Sequence, residues 1–177
     1  MLISAADQPL PLSGAVALNE PSNPTLRLTT ASPALQLMTD FKAERPIVVN
    51  PRRHIDAALT DMILEGVRAL VVIDDGRVLG LIAASDVLGP RPVQFLQNPL
   101  CETSPCRHQD VRVGDIMTRW LDLKVLEFSW VTTATIGDVV DAFAQTDITH
   151  LLVVEGASSA VRGLFSRTRL ARQLALS

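Results

Sequence analysis

The residues of this chain best suited to metal or redox chemistry are Cys101, Cys106 and His108, which lie close together in the sequence. Thiolates and imidazoles bind zinc, but structural zinc usually takes four ligands, often as two closely spaced pairs. Here the fourth ligand is missing, and the Cys-x4-Cys spacing is loose. The sequence therefore favours two exposed thiols in a loop over residues 98–109. A zinc site and a Cys101–Cys106 disulfide are the alternatives.

Sequence motifs for nucleophilic catalysis and for phosphate loops are absent. The chain contains no Gly-x-Ser-x-Gly elbow, no Walker loop and no dinucleotide-binding glycine fingerprint. Gly76 and Gly80 instead belong to a predicted hairpin turn and the strand that follows it. We therefore predict a protein that is not an enzyme and that holds neither a metal nor a resident cofactor.

The composition bounds the class of protein. The chain has 177 residues, of which 47% are hydrophobic, and a net charge of −3. This charge argues against a general nucleic-acid binder, which would carry a basic face. Apolar runs stay shorter than the roughly 18 residues that span a bilayer. The amino terminus lacks a basic region and Asp7 interrupts it, so we expect no secretory signal and a cytoplasmic location.

Two stretches of the chain repeat one pattern. Residues 55–74 and 136–155 align at one offset (136 − 55 = 81), and the match resumes where Gly80-Leu81-Ile82 aligns with Gly163-Leu164-Phe165 (163 − 80 = 83). A repeat of this size is one supersecondary unit used twice. Two small units that pack together leave clefts between them, and clefts bind ligands.

The first copy reads as strand, helix, strand, strand, helix. Ile47-Val48-Val49 is a short strand, and apolar residues then recur at helical spacing over 55–63. The β-branched runs at 69–73 and 78–83 are typical of buried strands. They flank a turn at 74–76, and a short helix begins near Ser85.

The second copy follows the same order. Residues 124–131 stand where its first strand is expected, although their pattern is less regular. Thr135 is placed to cap the helix that follows. Strands are predicted at 150–155 and 160–165, before a last helix at 167–176. The predicted fold class is α+β, with two β-α-β-β-α repeats packed as a pseudo-twofold pair.

The domain boundaries follow from these elements. Residues 1–32 are proline-rich and are predicted to form an extended or flexible arm. Repeat 1, with a lead-in helix near 34–38, spans 33–89. A connector loop spans 90–112, and repeat 2 spans 113–177.

The core of each copy resembles a CBS domain, the module named after cystathionine β-synthase. The likeness rests on GVRALVVIDDGRVLGLIAASDVLG (66–89), on ITHLLVVE and VRGLFSRTRLA in the second copy, and on the lead-in DIMT (115–118). It covers about residues 34–175. The resemblance implies a tandem CBS pair, which is regulatory and non-catalytic and often forms disc-like homodimers. Such pairs typically bind adenosine-containing ligands such as AMP, ADP, ATP or S-adenosylmethionine.

The family's nucleotide motif is split between the two copies. It reads glycine, two apolar residues, Ser or Thr, two variable residues and Asp. In the family, that carboxylate accepts hydrogen bonds from both ribose hydroxyls, and the hydroxyl residue lies where phosphate binds. The first copy keeps the acid as Asp86 but has Ala83 in place of the hydroxyl. The second copy keeps Ser166 but has Arg169 in place of the acid.

The resemblance therefore implies two unequal sites. In the first, Asp86 would hold a ribose, with adenine near Val48 and Ala69. In the second, Ser166, Arg167 and Arg169 would attract phosphate, and His150 would point toward the same region. Helix capping is the alternative role for Asp86, and a solvated surface position is the alternative for Arg169.

Two functions follow as expectations. The first is a ligand sensor that binds an adenosine-type small molecule in the cleft between the repeats, forms a homodimer and acts on an unknown effector protein. The alternative is a structural or protein-interaction module whose ligand sites have degenerated. Neither nucleic acid nor a membrane is an expected partner.

Overall fold

The structure is a computed structural model that describes residues 28–97, 107–156 and 160–175. Most of the predicted 1–32 arm lies outside these ranges, as do Cys101 and Cys106. The described end of the arm packs on the second repeat. There the Ser32 and Thr30 carbonyls accept hydrogen bonds of 2.8 Å from the backbone N–H groups of Ile136 and Gly137. These two carbonyls therefore accept hydrogen bonds from the first N–H groups of the helix that begins at Ile136. Such N–H groups have no partner within the helix itself.

The strands of the described ranges form two four-stranded sheets. The strands are β1 (Thr39–Asp40), β2 (Val48–Val49), β3 (Ala69–Asp74), β4 (Arg77–Ala83), β5 (Thr118–Arg119), β6 (Val125–Glu127), β7 (His150–Glu155) and β8 (Ala160–Ser166). The first sheet has the order β2-β3-β4-β5, and the second has the order β1-β8-β7-β6.

The helices complete each repeat. They are α1 (Ile55–Leu64), α2 (Ala84–Leu88), α3 (Arg91–Leu96), α4 (Val113–Ile116), α5 (Phe128–Val131), α6 (Ile136–Ala144) and α7 (Arg167–Ala175). Three short 3-10 turns lie at Ala34–Gln36, His108–Asp110 and Trp120–Asp122. The described residues contain no helix that is long and apolar enough to cross a membrane.

This element order confirms the predicted α+β fold. Repeat 1 is β2-α1-β3-β4-α2, and repeat 2 is β6-α5-α6-β7-β8-α7. The predicted cap of α6 is also present. The Thr135 hydroxyl accepts from the Asp138 N–H at 3.3 Å, and the Asp138 carboxylate accepts from the Thr135 N–H at 2.8 Å. The β3–β4 turn has φ of 46° at Asp75 and 73° at Gly76, the conformation of a tight hairpin.

The two repeats exchange their short lead-in strands. Strand β1 precedes repeat 1 but pairs antiparallel with β8, where Asp40 faces Gly163. Strand β5 precedes repeat 2 but pairs antiparallel with β4, where Arg119 faces Gly80. Each sheet is therefore completed by a strand from the other half of the chain.

The hydrophobic cores follow the same exchange. Ala34, Leu37 and Met38 are buried in the core of repeat 2. Val111, Val113 and Ile116, from the second half, are buried in the core of repeat 1. The domain boundaries stay a prediction, but the core packing shows that the lead-in segments belong physically to the opposite repeat.

Alternating residues of the central strands face opposite layers. In β3, Leu70 and Val72 pack toward the helices of repeat 1, whereas Val71 packs between the two sheets with Leu81 and Leu152. The sheets therefore face one another across a shared apolar layer.

Two predicted elements differ from the structure. The lead-in helix predicted near 34–38 is only a 3-10 turn at Ala34–Gln36, followed by β1. The strand expected over 124–131 divides into the three-residue β6 and the helix α5. Both stretches are too short for strand and helix periodicity to separate them.

His150 is the buried polar side chain among the described residues, with 7% exposure at the start of β7. Its Nδ1 lies 2.9 Å from the Thr149 hydroxyl. Burial disfavours the charged imidazolium and lowers the pKa of His150 from 6.5 to about 4. The side chain is therefore neutral at pH 7.

We predict that Gly163→Ala and Gly80→Ala destabilise the fold by about 1–3 kcal/mol each. A Cβ atom at either glycine would meet a backbone carbonyl of the exchanged strand, that of Thr39 or Thr118 respectively. Urea unfolding measures the loss. Gly156→Asn is the control, because its Cβ would meet open space and Asn tolerates the φ of 70°. A loss for Gly156→Asn as large as for Gly163→Ala would contradict the strand-exchange argument.

We also predict that acid destabilises the protein through His150. Its pKa is lower in the folded state, so between pH 6.5 and about 4 the unfolded chain binds more protons. The free energy of unfolding should fall by about 1.4 kcal/mol for each pH unit of acidification in that window. His150→Gln should flatten this dependence in urea titrations at pH 7 and pH 5. Equal slopes for wild type and His150→Gln would refute the assignment.

Candidate functional site

A cavity of about 520 Å³ opens at one end of the layer between the sheets. Its apolar wall comes from both halves of the chain and includes Phe41, Pro46, Ile47, Val67, Ala69, Val71 and Leu164. Val71 and Leu164 also belong to the shared apolar layer. The cavity thus forms where that layer ends and side chains no longer fill the space between the sheets.

Strand alternation aims three predicted site residues into this cavity. Ala69 lies two residues before Val71 on β3, and His150 lies two residues before Leu152 on β7, so each faces the space between the sheets. Ser166 is the Cα partner of His150 in the β7–β8 ladder. All three line the cavity.

The mouth of the cavity is cationic. Arg45, Arg68, Arg169 and Arg172 contribute to its lining, together with Glu44 and Glu65. Since His150 is neutral at pH 7, four arginines against two glutamates leave a net charge of +2. The whole chain carries −3, so positive charge is concentrated here and favours an anionic ligand.

Helix α7 starts beside this mouth. Its preceding residue, Ser166, lies with the hydroxyl oxygen 3.5 Å from the Arg169 N–H, a weak cap. The Arg169 guanidinium donates a 2.9 Å hydrogen bond to the Thr39 hydroxyl of the exchanged strand β1. A helix start with a hydroxyl and arginines is an arrangement that suits phosphate.

The structure does not bring the other four predicted residues to this cavity. Of the described residues that line it, none is Asp86, Ala83, Val48 or Arg167. The expected grouping of Asp86 with Ala69 in one cleft is therefore not what the structure shows. Instead, Ala69 of repeat 1 shares a cavity with Ser166 and Arg169 of repeat 2.

Asp86 is engaged by its own repeat. One carboxylate oxygen accepts a 2.8 Å hydrogen bond from the Ala83 N–H, which caps α2, and the other lies 3.3 Å from the Arg91 guanidinium. Burial raises the pKa of the Asp86 carboxyl, and the Ala83 hydrogen bond and the Arg91 charge offset this only in part. These contacts favour the helix-capping role, and ribose binding by Asp86 stays a prediction.

Arg167 points away from the cavity. Its guanidinium donates to the Phe143 carbonyl at 2.6 Å and to the Thr146 carbonyl, and it lies 5.3 Å from the centre of the Phe143 ring. It therefore closes the carboxyl end of α6. Of the remaining two residues, Val48 is exposed and Ala83 is buried.

Sequence reasoning missed Arg45, Arg68 and Arg172. Arg68 directly precedes β3, and Arg45 lies three residues before β2. These two strands pair in parallel, with Val48 opposite Val71, so their starts meet at one edge. Arg172 lies three residues after Arg169, on the same helix face. Arginines just ahead of two predicted strands were the signal available in the sequence for Arg45 and Arg68.

The possible metal ligands remain only partly described. Of the Cys101, Cys106 and His108 group, only His108 is described. Its Nδ1 lies 3.4 Å from a carboxylate oxygen of Asp56, an ion pair that forms when the histidine is protonated. Among the described residues, no group of three or more His, Cys, Asp or Glu side chains is placed to hold a metal.

Comparison with known proteins gives a consistent family and fold. Residues 34–89 match the family model of the CBS domain, and no curated protein sequence matches the chain. The structure of CBSX2 in complex with AMP is 24% identical, has a TM-score of 0.56 and is matched over 82% of this chain and 97% of that chain.

Two further solved structures share the architecture. The CBS-pair protein CBSX2 from Arabidopsis thaliana is 24% identical with a TM-score of 0.52, over 84% of this chain and 96% of that chain. An uncharacterized conserved protein from Pyrococcus horikoshii is 25% identical with a TM-score of 0.55, over 82% of this chain and 93% of that chain. Residues 34–89 therefore match a CBS domain, and the chain has the fold of the solved CBS-pair structures.

Proposed function

We propose that this protein is a non-catalytic regulatory module that binds an adenosine-containing ligand in the cavity between its two sheets. The observation that carries the proposal is the make-up of that cavity: an apolar wall from both sheets and a cationic mouth beside the start of α7. A volume of about 520 Å³ lies within the range typical of small-molecule sites. The AMP complex of CBSX2, a protein of the same fold, supports this proposal.

The cavity combines two kinds of surface. The apolar end, near Ala69, Val71 and Leu164, suits a flat purine base. The neutral His150 keeps its Nε2 for a ligand, since its Nδ1 lies 2.9 Å from the Thr149 hydroxyl. The Ser166 hydroxyl, across the ladder from His150, and the backbone at the start of α7 suit phosphate.

Ligand binding would act on the arrangement of the sheets. Ala69 and Val71 come from the first sheet, whereas His150 and Ser166 come from the second. A ligand that contacts both sheets stabilises the relative orientation of the sheets to which it binds more tightly. The size of this effect equals the difference between its binding free energies for the two orientations. Such a shift is the proposed regulatory output to an effector protein.

We predict that Ala69→Leu abolishes ligand-induced stabilisation, because the larger side chain fills the apolar end of the cavity. A ligand at 100 times its dissociation constant stabilises the folded state by roughly 2.7 kcal/mol. Melting temperatures are measured with AMP, ADP, ATP and S-adenosylmethionine, each against the same variant without ligand. Ala160→Leu is the matched control, since Ala160 starts β8 at an exposed position away from the cavity lining.

Asp86→Ala separates the two possible sites. It should lower the melting temperature, because α2 loses a cap worth about 1 kcal/mol, while the ligand-induced shift remains. If Asp86→Ala removes the shift and Ala69→Leu retains it, the ligand binds beside Asp86 instead. If millimolar ligands leave the wild-type melt unchanged, the ligand-binding function is wrong.

A second candidate function is a protein-interaction module that self-associates. The observation that favours it is the exposed apolar end of α1, where Ile63 is 71% and Leu64 is 78% accessible. Neighbouring apolar side chains left in water are a common feature of interaction surfaces. We propose that this end of α1 contacts a second copy of the chain.

We predict that Ile63→Asp combined with Leu64→Asp converts a homodimer into a monomer, measured by light scattering after size exclusion. Both positions are exposed, so the fold should persist in circular dichroism. Leu121→Asp is the control, because Leu121 is 93% exposed on a different element. A monomeric wild type, or dissociation by Leu121→Asp alone, would contradict this interface.

A further inference from the structure

We infer that this cavity selects its nucleotide by the number of phosphate charges and not by the ribose diol. Resting on the proposed function, the inference narrows the ligand class to nucleoside di- and triphosphates, with ribose and 2′-deoxyribose forms bound alike. The arginines at the cavity mouth support selection by phosphate charge, and the repeat position of Arg169 supports indifference to the ribose diol.

Two arginine pairs reach the mouth from different elements. Arg45 and Arg68 lie at the edge where the parallel strands β2 and β3 begin, and Arg169 and Arg172 lie on one face of α7. A single phosphate group is too small to neutralise charges that arrive from two sides. A chain of two or three phosphates offers enough oxygens to contact both pairs.

The charges of these arginines are available to a ligand. Within the described part of the chain, Arg45, Arg68 and Arg172 form no ion pair. Arg169 donates to a neutral hydroxyl, that of Thr39, so its positive charge is not cancelled by this contact. Charge-assisted bonds from guanidinium to phosphate are among the stronger hydrogen bonds in proteins.

The small expected contribution of the ribose diol follows from the sequence repeat. Arg169 stands at the position that Asp86 holds in the first copy (169 − 86 = 83). A carboxylate there would accept hydrogen bonds from both ribose hydroxyls, whereas the Arg169 guanidinium can only donate and already donates to the Thr39 hydroxyl. The cavity's own carboxylates, Glu44 and Glu65, are both exposed, where water competes for the same hydrogen bonds. Loss of the 2′-hydroxyl should therefore have little effect on affinity.

The test is isothermal titration calorimetry of the full chain with AMP, ADP, ATP and 2′-deoxy-ATP in magnesium-free buffer. We expect ATP to bind about tenfold or more tightly than AMP, since each added charged hydrogen bond contributes at least that much. We expect 2′-deoxy-ATP to bind as tightly as ATP within about threefold. Added salt should weaken ATP binding more than AMP binding.

Two single variants test whether the arginines at the mouth cause the preference for ATP over AMP. Arg45→Gln and Arg172→Gln, both at exposed positions, should each reduce ATP affinity by about tenfold and reduce AMP affinity by a smaller factor. Arg77→Gln is the matched control, because Arg77 is exposed at the start of β4 and is not part of the cavity lining.

The outcomes distinguish a failure of this inference from a failure of the proposed function. If AMP binds as tightly as ATP, or if 2′-deoxy-ATP binds more than about tenfold weaker than ATP, the charge-selection inference is overturned and the nucleotide-binding function stands. If none of the four nucleotides binds at millimolar concentration, the proposed function fails, and this inference fails with it.

Discussion

The exchange of β1 and β5 between the repeats is the constraint on which the rest of the structure depends. A two-residue strand contributes few backbone hydrogen bonds, but each one places a segment of one repeat against the central hairpin of the other. Gly163 and Gly80 permit this, because a side chain at either position would collide with the arriving backbone. The two sheets consequently face one another, with Val71, Leu81 and Leu152 buried between them. The cavity lies at the margin of this apolar layer, so its walls come from both repeats.

Much of the fold is predictable from the sequence, because the repeat carries its own check. Two copies with the same order of apolar runs, turns and caps identify the elements, and the Thr135 cap illustrates how local the signal is. The exchange is not predictable in the same way. Strands of two residues have no period, and a segment such as 34–40 gives equal support to a short helix or to a turn followed by a strand. Its partner is decided by tertiary packing against residues more than 100 positions away.

For a related reason, only some residues of the candidate site were predictable from the sequence. Ala69, His150, Ser166 and Arg169 follow from strand ends and the repeated motif, and the structure brings them together. Arg45, Arg68 and Arg172 belong to no motif, and they meet only because two parallel strands begin at one edge and a helix starts opposite. Arg167 is the opposite case, because the motif predicts it at the site and the structure directs its side chain elsewhere. It lies within the motif, but the direction of its side chain is set by the carbonyls at the end of α6.

The duplicated chain uses the same threonine in two different ways. Met38-Thr39 and Met117-Thr118 repeat one dipeptide, and in each case an arginine donates to the threonine hydroxyl: Arg169 to Thr39 at 2.9 Å and Arg91 to Thr118 at 3.0 Å. Arg91 also lies 3.3 Å from Asp86, so a carboxylate balances its charge within the protein. Arg169 occupies the repeat position of that aspartate, and none of the ion pairs among the described residues includes it. One exchange of acid for base therefore separates the two repeat positions: Asp86 balances the charge of Arg91 within the protein, whereas Arg169 keeps its positive charge at the cavity.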